Sequence, residues 1–391
     1  MSHPSALPSG RYRRPRYAPD LPDRRWPSRT IDAAPRWCAV DLRDGNQALL
    51  EPMSPDQRLR MFRLLVALGF REIEVGFPAA VPADHDLLRR LVDDDLVPAD
   101  VSIQVITGAH PRWIERTVRA LHGARRPVVH LFTTTSELQR RVVLGTDPAG
   151  AAALAAGAAA TCLDRAAAAG VEVQLEYTMD SWTETEPEVA LRVCAAVIEA
   201  VDPTPQRPLI VNLPATVEVS TPNAFADSVE WMHRNLPRRE SLVLSLHPHN
   251  DRGTAVAAAE LGLLAGAERV EGCLFGLGER AGNLDLVTLA LNLFAHGVDP
   301  GLDLSALDEV VRTAQECTGA PVPQRQPYAG DLVFTALAGT HQHAIDRGMA
   351  AMAADAAAAG VAVTRWPWRV PYLGVDPADL GREYRAVVRD G

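Results

Sequence analysis

The stretch Ala39-Val-Asp-Leu-Arg-Asp-Gly-Asn-Gln47 reads as a buried strand that stops abruptly in a charged loop. Trp37, Cys38, Ala39 and Val40 put apolar groups on both faces, as a parallel strand covered on each side requires. The run ends in Arg43, Asp44, Gly45, Asn46 and Gln47. A guanidinium beside a carboxylate, followed by a glycine, suits a place where a cation and an oxyanion are held together. Taken alone, the same residues read more readily as a turn with a surface ion pair, since such turns are common.

Leu242-Val-Leu-Ser-Leu-His-Pro-His-Asn-Asp-Arg-Gly253 is a second apolar run ending in polar residues. His247 and His249 are two apart, so on a strand they project from one face and both reach one ion. Asp44, at the end of another strand, adds a hard oxygen ligand, and the trio resembles octahedral sites that keep positions open for substrate.

From Arg36 to about Ala295, short apolar runs alternate with longer helical patterns. The runs predict strands at 36–42, 71–77, 102–107, 127–132, 171–178, 207–212, 242–248 and 268–274. Between them lie helical stretches such as Pro55–Leu68, started by Ser54, and Pro148–Ala169, closed by Gly170. Eight strand–helix units over roughly 260 residues are what a closed (β/α)8 barrel needs, whereas an open doubly wound sheet rarely uses eight. The predicted organisation is an N-terminal arm at 1–32, a TIM-barrel domain at 33–300 and a helical linker or lid at 301–391. The arm is rich in Pro and Arg and lacks apolar periodicity, so it is expected to be disordered or to lie on a neighbouring subunit, with Tyr17 and Trp26 as anchors. In the last part, 305–318, 334–348 and 376–388 read as helices.

The 391 residues are 47% hydrophobic, enough for one large core plus an appendage. A net charge of −10 argues against a nucleic-acid partner bound by bulk charge. The five cysteines are odd in number, widely spaced and without a Cys-x-x-Cys, which reads as reduced core residues of a cytoplasmic protein. Neither a signal-peptide core nor an apolar run of spanning length is seen, so no membrane partner is expected.

In such a barrel the catalytic groups belong where strands end. Strand ends here carry Arg43 and Asp44, Glu176 to Asp180, Asn212 to Thr216, His247 to Asp251, and Gly276 to Asn283, with His130 on the fourth strand. The first, seventh and eighth strands are neighbours in a closed barrel, so Asp44, His247, His249 and Asn283 can converge on one ion. Gly276, Gly278 and Gly282 do not follow a dinucleotide fingerprint and read as a tight loop that brings backbone close to ligand.

Asp41-Leu-Arg-Asp-Gly-Asn-Gln47, Glu74-Val-Gly-Phe-Pro78, Asn212-Leu-Pro-Ala-Thr-Val-Glu218, His247-Pro-His-Asn-Asp-Arg-Gly253 and Gly278-Glu-Arg-Ala-Gly-Asn283 together resemble the 2-isopropylmalate synthases. The resemblance runs over nearly the whole chain, to Pro367-Trp-Arg-Val-Pro-Tyr-Leu373. It implies a Claisen-type condensation of acetyl-CoA with a 2-oxo acid, then thioester hydrolysis to a 2-alkylmalate and CoA. By that analogy Asp44, His247 and His249 hold Mg, Mn or Zn, with Asn283 as a weaker fourth ligand. Arg43 stabilises the developing alkoxide. Thr178 and Thr216 contact the substrate carboxylate, though either threonine could instead close a barrel layer. His130 is a substrate ligand or a hydrogen-bonded core histidine.

The proton is removed from the acetyl methyl by one of several candidates: Asp180, Glu279, His130 or His341. Asp180 stands where the family usually has Glu, and Glu279–Arg280 could instead be an ion pair on the barrel rim. His341 and Tyr372 lie beyond the barrel, and in the family these segments reach the partner subunit's site, which implies a catalytically necessary homodimer. The family's leucine-sensing domain would follow Val388, and the expectation is no leucine feedback.

Two departures bear on the substrate. Leu277 stands for the family's Asn and Ala281 for its Thr, each a lost polar group. The expected oxo acid is 3-methyl-2-oxobutanoate, and the alternative is a related alkylmalate synthase of specialised metabolism. Two further readings remain: a carbon–carbon lyase of the same group, whose catalytic Cys would stand where Glu279–Arg280 is found, and a barrel retained for binding alone.

Overall fold

The structure is a computed structural model that describes residues 19–387. Eight parallel strands close into a barrel in chain order: β1 (Arg36–Ala39), β2 (Glu72–Gly76), β3 (Ser102–Gly108), β4 (Pro127–Thr134), β5 (Gln174–Asp180), β6 (Leu209–Ala215), β7 (Leu242–Pro248) and β8 (Arg269–Gly272). The ring shuts where β8 pairs with β1, Cys38 facing Glu271 in the register. The intervening helices are α1 (Pro55–Leu68), α2 (Pro82–Asp93), α3 (Pro111–Ala120), α4 (Pro148–Ala168), α5 (Pro187–Val201), α6 (Pro222–Asn235) and α7 (Ala255–Leu264), and α8 (Leu286–Ala295) follows β8. The fold is the expected (β/α)8 barrel.

Six of these helices open on proline, whose fixed φ suits the first turn and whose missing N–H costs nothing there. Ser54 and Gln57 form a reciprocal cap on α1, and Asp147 caps α4 by accepting from the Gly150 N–H.

Two compact units divide the chain. The first comprises, among the described residues, 19–31, Pro35–Leu50 and Phe70–Leu286, which hold all eight barrel strands. In it the apolar strand residues face the helices, whereas the lumen is polar: Glu72, Glu74, Gln104, Glu176, Asn212, Ser245, Arg269 and Glu271 are all buried.

Where the arm is described, it binds its own barrel. Arg24 grips Asp227 of α6 with two hydrogen bonds of 2.8 and 2.7 Å, and Trp26 donates to the same carboxylate at 2.8 Å and, through its backbone, to Glu230 at 3.1 Å. Tyr17 lies outside the described residues.

The second unit comprises, among the described residues, Asp32–Ala34, Glu51–Gly69 and 287–387. Its helices include α1, α9 (Leu307–Thr318) and α10 (Gly339–Ala358). The Gln57 amide of α1 donates to the Glu316 carbonyl of α9 at 3.1 Å. Here the pattern reading erred at the end of the chain. Of the segment 376–388, expected as a helix, the described residues 376–387 hold a 3-10 turn at Pro377–Leu380 followed by β10 (Arg385–Ala386), which pairs with β9 (Thr335–Ala336). Gly381, with φ of +66°, ends the turn, and the extended stretch after it finds a strand partner. No single helix among the described residues is long and apolar enough to cross a membrane.

Candidate active site

Strand β1 ends earlier than expected because the chain coils tightly at Asp41–Gly45. The N–H groups of Arg43, Asp44 and Gly45 all donate to the Val40 carbonyl, at 3.1, 2.9 and 3.1 Å. This π-type turn sets Arg43 and Asp44 side by side, Nη1 to Oδ1 3.1 Å. Gly45 permits a close approach: a Cβ there would meet the Cys273 sulfur at 3.2 Å.

Asp44, His247 and His249 come together, each offering a ligand atom within 4.8 Å of the others, and all three are buried. His247 Nε2 lies 2.9 Å from Asp44 Oδ2, and His249 Nε2 3.9 Å from the same oxygen. Asn283 stands next to His249 in the fold, its backbone bridging to that residue. Its amide nitrogen donates to the Leu277 carbonyl at 3.0 Å, leaving Oδ1 buried without a hydrogen-bond partner, as is Nδ1 of His249. Buried polar atoms without partners are costly unless something absent supplies the bond. One carboxylate, two imidazoles and an amide oxygen fit a divalent cation, and the set does not choose which one. The glycine loop serves this grouping by closeness: a Cβ on Gly278 would sit 2.5 Å from the Asn283 amide nitrogen, and Gly282 has φ of +105°.

The charges agree. Burial works against the Asp44 carboxylate, but Arg43, His247 and His249 outweigh it and hold its pKa well below the usual range. Burial likewise opposes the His247 cation, yet hydrogen bonds to Asp44 and Glu271 push its pKa up to about 9. Burial, then the neighbouring His247, lowers His249 to about 3, so that ring is neutral and ready to ligate.

Below the mouth runs a closed circuit of hydrogen bonds. Arg43 Nε donates to Glu74 at 2.5 Å, Glu74 meets His130 Nδ1 at 2.6 Å, and His130 Nε2 meets the Thr178 hydroxyl at 2.7 Å. The Asn212 amide donates to Thr178 and to Glu271, both at 3.1 Å. Glu271 meets His247 Nδ1 at 2.7 Å, and His247 and Asp44 close the circuit back to Arg43. His130 and Thr178 are therefore held within the lumen wall, consistent with either a substrate or a core role.

The other predicted residues are placed as follows. Thr216 accepts from the Ser181 N–H at 2.8 Å and donates to Asp180 Oδ1 at 3.0 Å, so its hydroxyl braces the end of β5. Asp180 also lies 3.5 Å from the Gln139 amide. Glu279 is not paired with Arg280. It accepts from Gln47 at 3.3 Å, and Gln47 donates in turn to Asp44 at 2.8 Å. Arg280 reaches across to Asp251 at 2.6 Å and to the Thr216 carbonyl at 2.5 Å, tying three loops. His341 and Tyr372 stack on each other in the second unit, ring centroids 4.0 Å apart at 19°. Leu277 packs against the buried cluster of Cys38, Val40 and Cys273. Cys273 is no nucleophile, since burial raises its thiol pKa well above normal.

Residue patterns had not singled out Glu74, Gln104, Arg269 or Glu271 for the lumen, nor Glu218, which accepts from the Arg252 N–H at 2.5 Å and from Thr254. The available signal was the recurrence of charged residues at period two in strands otherwise apolar, as in Glu72/Glu74 and Arg269/Glu271.

Known proteins resemble this chain in sequence and in fold. A family model described as HMGL-like matches residues 34–313, and one described as alpha-isopropylmalate synthase, post-catalytic domain-like, matches residues 331–390. A 2-isopropylmalate synthase of Kineococcus radiotolerans is 56% identical over 389 residues, covering 99% of this chain and 68% of its own length. The chain belongs to the 2-isopropylmalate synthase family. Relatives of the same name in Clavibacter michiganensis and Mycobacterium ulcerans are each 56% identical, with 99% and 94% of this chain covered and 66% and 65% of theirs. The chain thus spans about two thirds of the length of these family members. Among solved structures, HMG-CoA lyases of Pseudomonas aeruginosa (TM-score 0.59, 18% identity, 75% of this chain and 95% of that one) and Brucella melitensis (TM-score 0.58, 17% identity, 74% and 100%) share the fold.

Proposed function

We propose that the protein condenses acetyl-CoA with 3-methyl-2-oxobutanoate and hydrolyses the thioester, giving 2-isopropylmalate and CoA, a step of leucine biosynthesis. The observation that carries the reading is the convergence of Asp44, His247 and His249 beside Arg43 at the barrel mouth. Asp44, His247, His249 and Asn283 would hold a divalent cation, which would supply Lewis acidity to the oxo acid. Arg43, kept in place by Glu74, presents its guanidinium to the oxygen that becomes an alkoxide. Thr178 and His130 line the lumen side of the bound oxo acid, and Thr216 braces Asp180.

Removing the methyl proton needs a base in a partly dry site, and the reading assigns proton handling to Asp180 and Glu279 together with the His341–Tyr372 pair. The stacked rings support treating that pair as one group. In this reading the barrel (33–300) works in a cytoplasmic homodimer, the helical segment (301–391) of each chain completing the partner's site. Mixing inactive Asp44→Asn and His341→Ala chains then restores activity, whereas independent sites leave the mixture inactive. The relatives' shared name favours this oxo acid over those of specialised metabolism.

The deciding experiment is thiol release from acetyl-CoA across a panel of 2-oxo acids, with and without Mg, Mn or Zn. Release that depends on both 3-methyl-2-oxobutanoate and cation is expected. A flat response with cation bound refutes the synthase and leaves a lyase or a binding protein.

A further inference from the structure

Glu271 touches no position assigned to substrate, yet it is fully buried and all its accepting capacity is used. Oε2 meets His247 Nδ1 at 2.7 Å and the Asn212 amide nitrogen at 3.1 Å, while Oε1 meets Arg269 Nη1 at 2.8 Å and the Gln104 amide nitrogen at 3.0 Å. An ionised carboxylate offers about four lone-pair positions and donates nothing. Amide and guanidinium nitrogens are donors only, so three positions are filled by groups that cannot reverse. The fourth partner, Nδ1 of His247, must also be a donor. Its proton is therefore fixed on the inner nitrogen, and the outer nitrogen, 2.9 Å from Asp44, is the one left to ligate.

We propose that Glu271, anchored by Arg269, is a positioning residue that locks the tautomer and ring direction of His247 for cation binding. This rests on reading Asp44, His247 and His249 as the cation site. A bland alternative is that Glu271 only balances the buried charge of Arg269. Glu72 separates the two, because its buried carboxylate pairs with Arg269 at 2.7 Å, as Glu271 does at 2.8 Å, and forms no hydrogen bond to His247.

The test is Mn2+ titration of the metal-free full chain, followed by electron paramagnetic resonance, with thermal unfolding as a folding check. Glu271→Gln, which can present an N–H to Nδ1, is expected to weaken binding roughly 10- to 100-fold, the usual cost of losing such a partner. Glu271→Asp keeps the charge beside Arg269 but withdraws the oxygen from Nδ1, so it weakens binding too and guards against a Gln variant that does not fold. Glu72→Gln, which removes a charge beside Arg269 without touching His247, binds Mn2+ like the parent. Unchanged binding in both Glu271 variants overturns the role of Glu271 alone, and an equal loss in Glu72→Gln overturns it in favour of general lumen charge. A parent chain that takes up no Mn2+ removes the cation reading, and this inference with it.

Discussion

Replacing Asp44 by Asn keeps the side-chain volume and removes one charge where four groups meet, since Arg43, Gln47, His247 and His249 all face that carboxylate. Two unit charges about 4 Å apart interact by about 4 kcal/mol at the effective dielectric of ~20 suited to such sites. Binding a divalent cation exchanges one proton on His247 for two charges, so the net gain facing Asp44 is one unit. Asp44→Asn should therefore lose about 4 kcal/mol of cation binding, close to 1,000-fold in Kd. The same reasoning fixes the pH dependence. His247 has its pKa raised to about 9, so near pH 7.5 the cation-free ring is protonated and must release that proton to ligate. Affinity should rise with pH up to about 9. Calorimetry in two buffers of different ionisation enthalpy should find about one proton released per cation in the parent, and fewer in Asp44→Asn, where one of the groups raising the pKa is gone. Unchanged Mn2+ affinity in Asp44→Asn, or no proton release in the parent, would falsify this account.

Arg43→Lys keeps the charge but cannot reproduce a fork that spans Glu74 and Asp44. Steady-state kinetics should show kcat down by about 100-fold or more with cation binding preserved, and near-normal kcat would contradict the alkoxide role. Asp41 is buried with its carboxyl raised to about 7, burial outweighing the Leu274 N–H that it accepts at 2.9 Å. Stability from its protonated form is complete below about pH 4 and is lost as pH rises through about 7, at up to about 1.4 kcal/mol per pH unit. Asp41→Asn should thus gain on the parent in denaturation midpoint between pH 5 and 7.5, and parallel profiles would disprove the cause. Trp26→Ala removes a buried ring and a donor to Asp227, with an expected cost of about 3 kcal/mol or more in thermal unfolding, and no change in melting would mean that the arm does not hold the barrel.

Eight apolar runs alternating with helical patterns were readable without coordinates because strand and helix periodicities are local properties of the chain. The metal-ligating types were legible for the same reason: Arg43–Asp44 and His247-Pro-His249 stand where apolar runs stop. Only barrel closure joins them, for Asp44 and His247 are 203 residues apart and no pattern in either segment reports the other. Closure also decides that Glu74, His130, Thr178, Asn212 and Glu271 form one circuit, since each alone looks like a polar interruption in an apolar strand. The same holds for the arm on α6, the Arg280–Asp251 tie and the His341–Tyr372 stack. Periodicity records which face of an element is buried, whereas contacts between distant segments depend on how the whole chain packs.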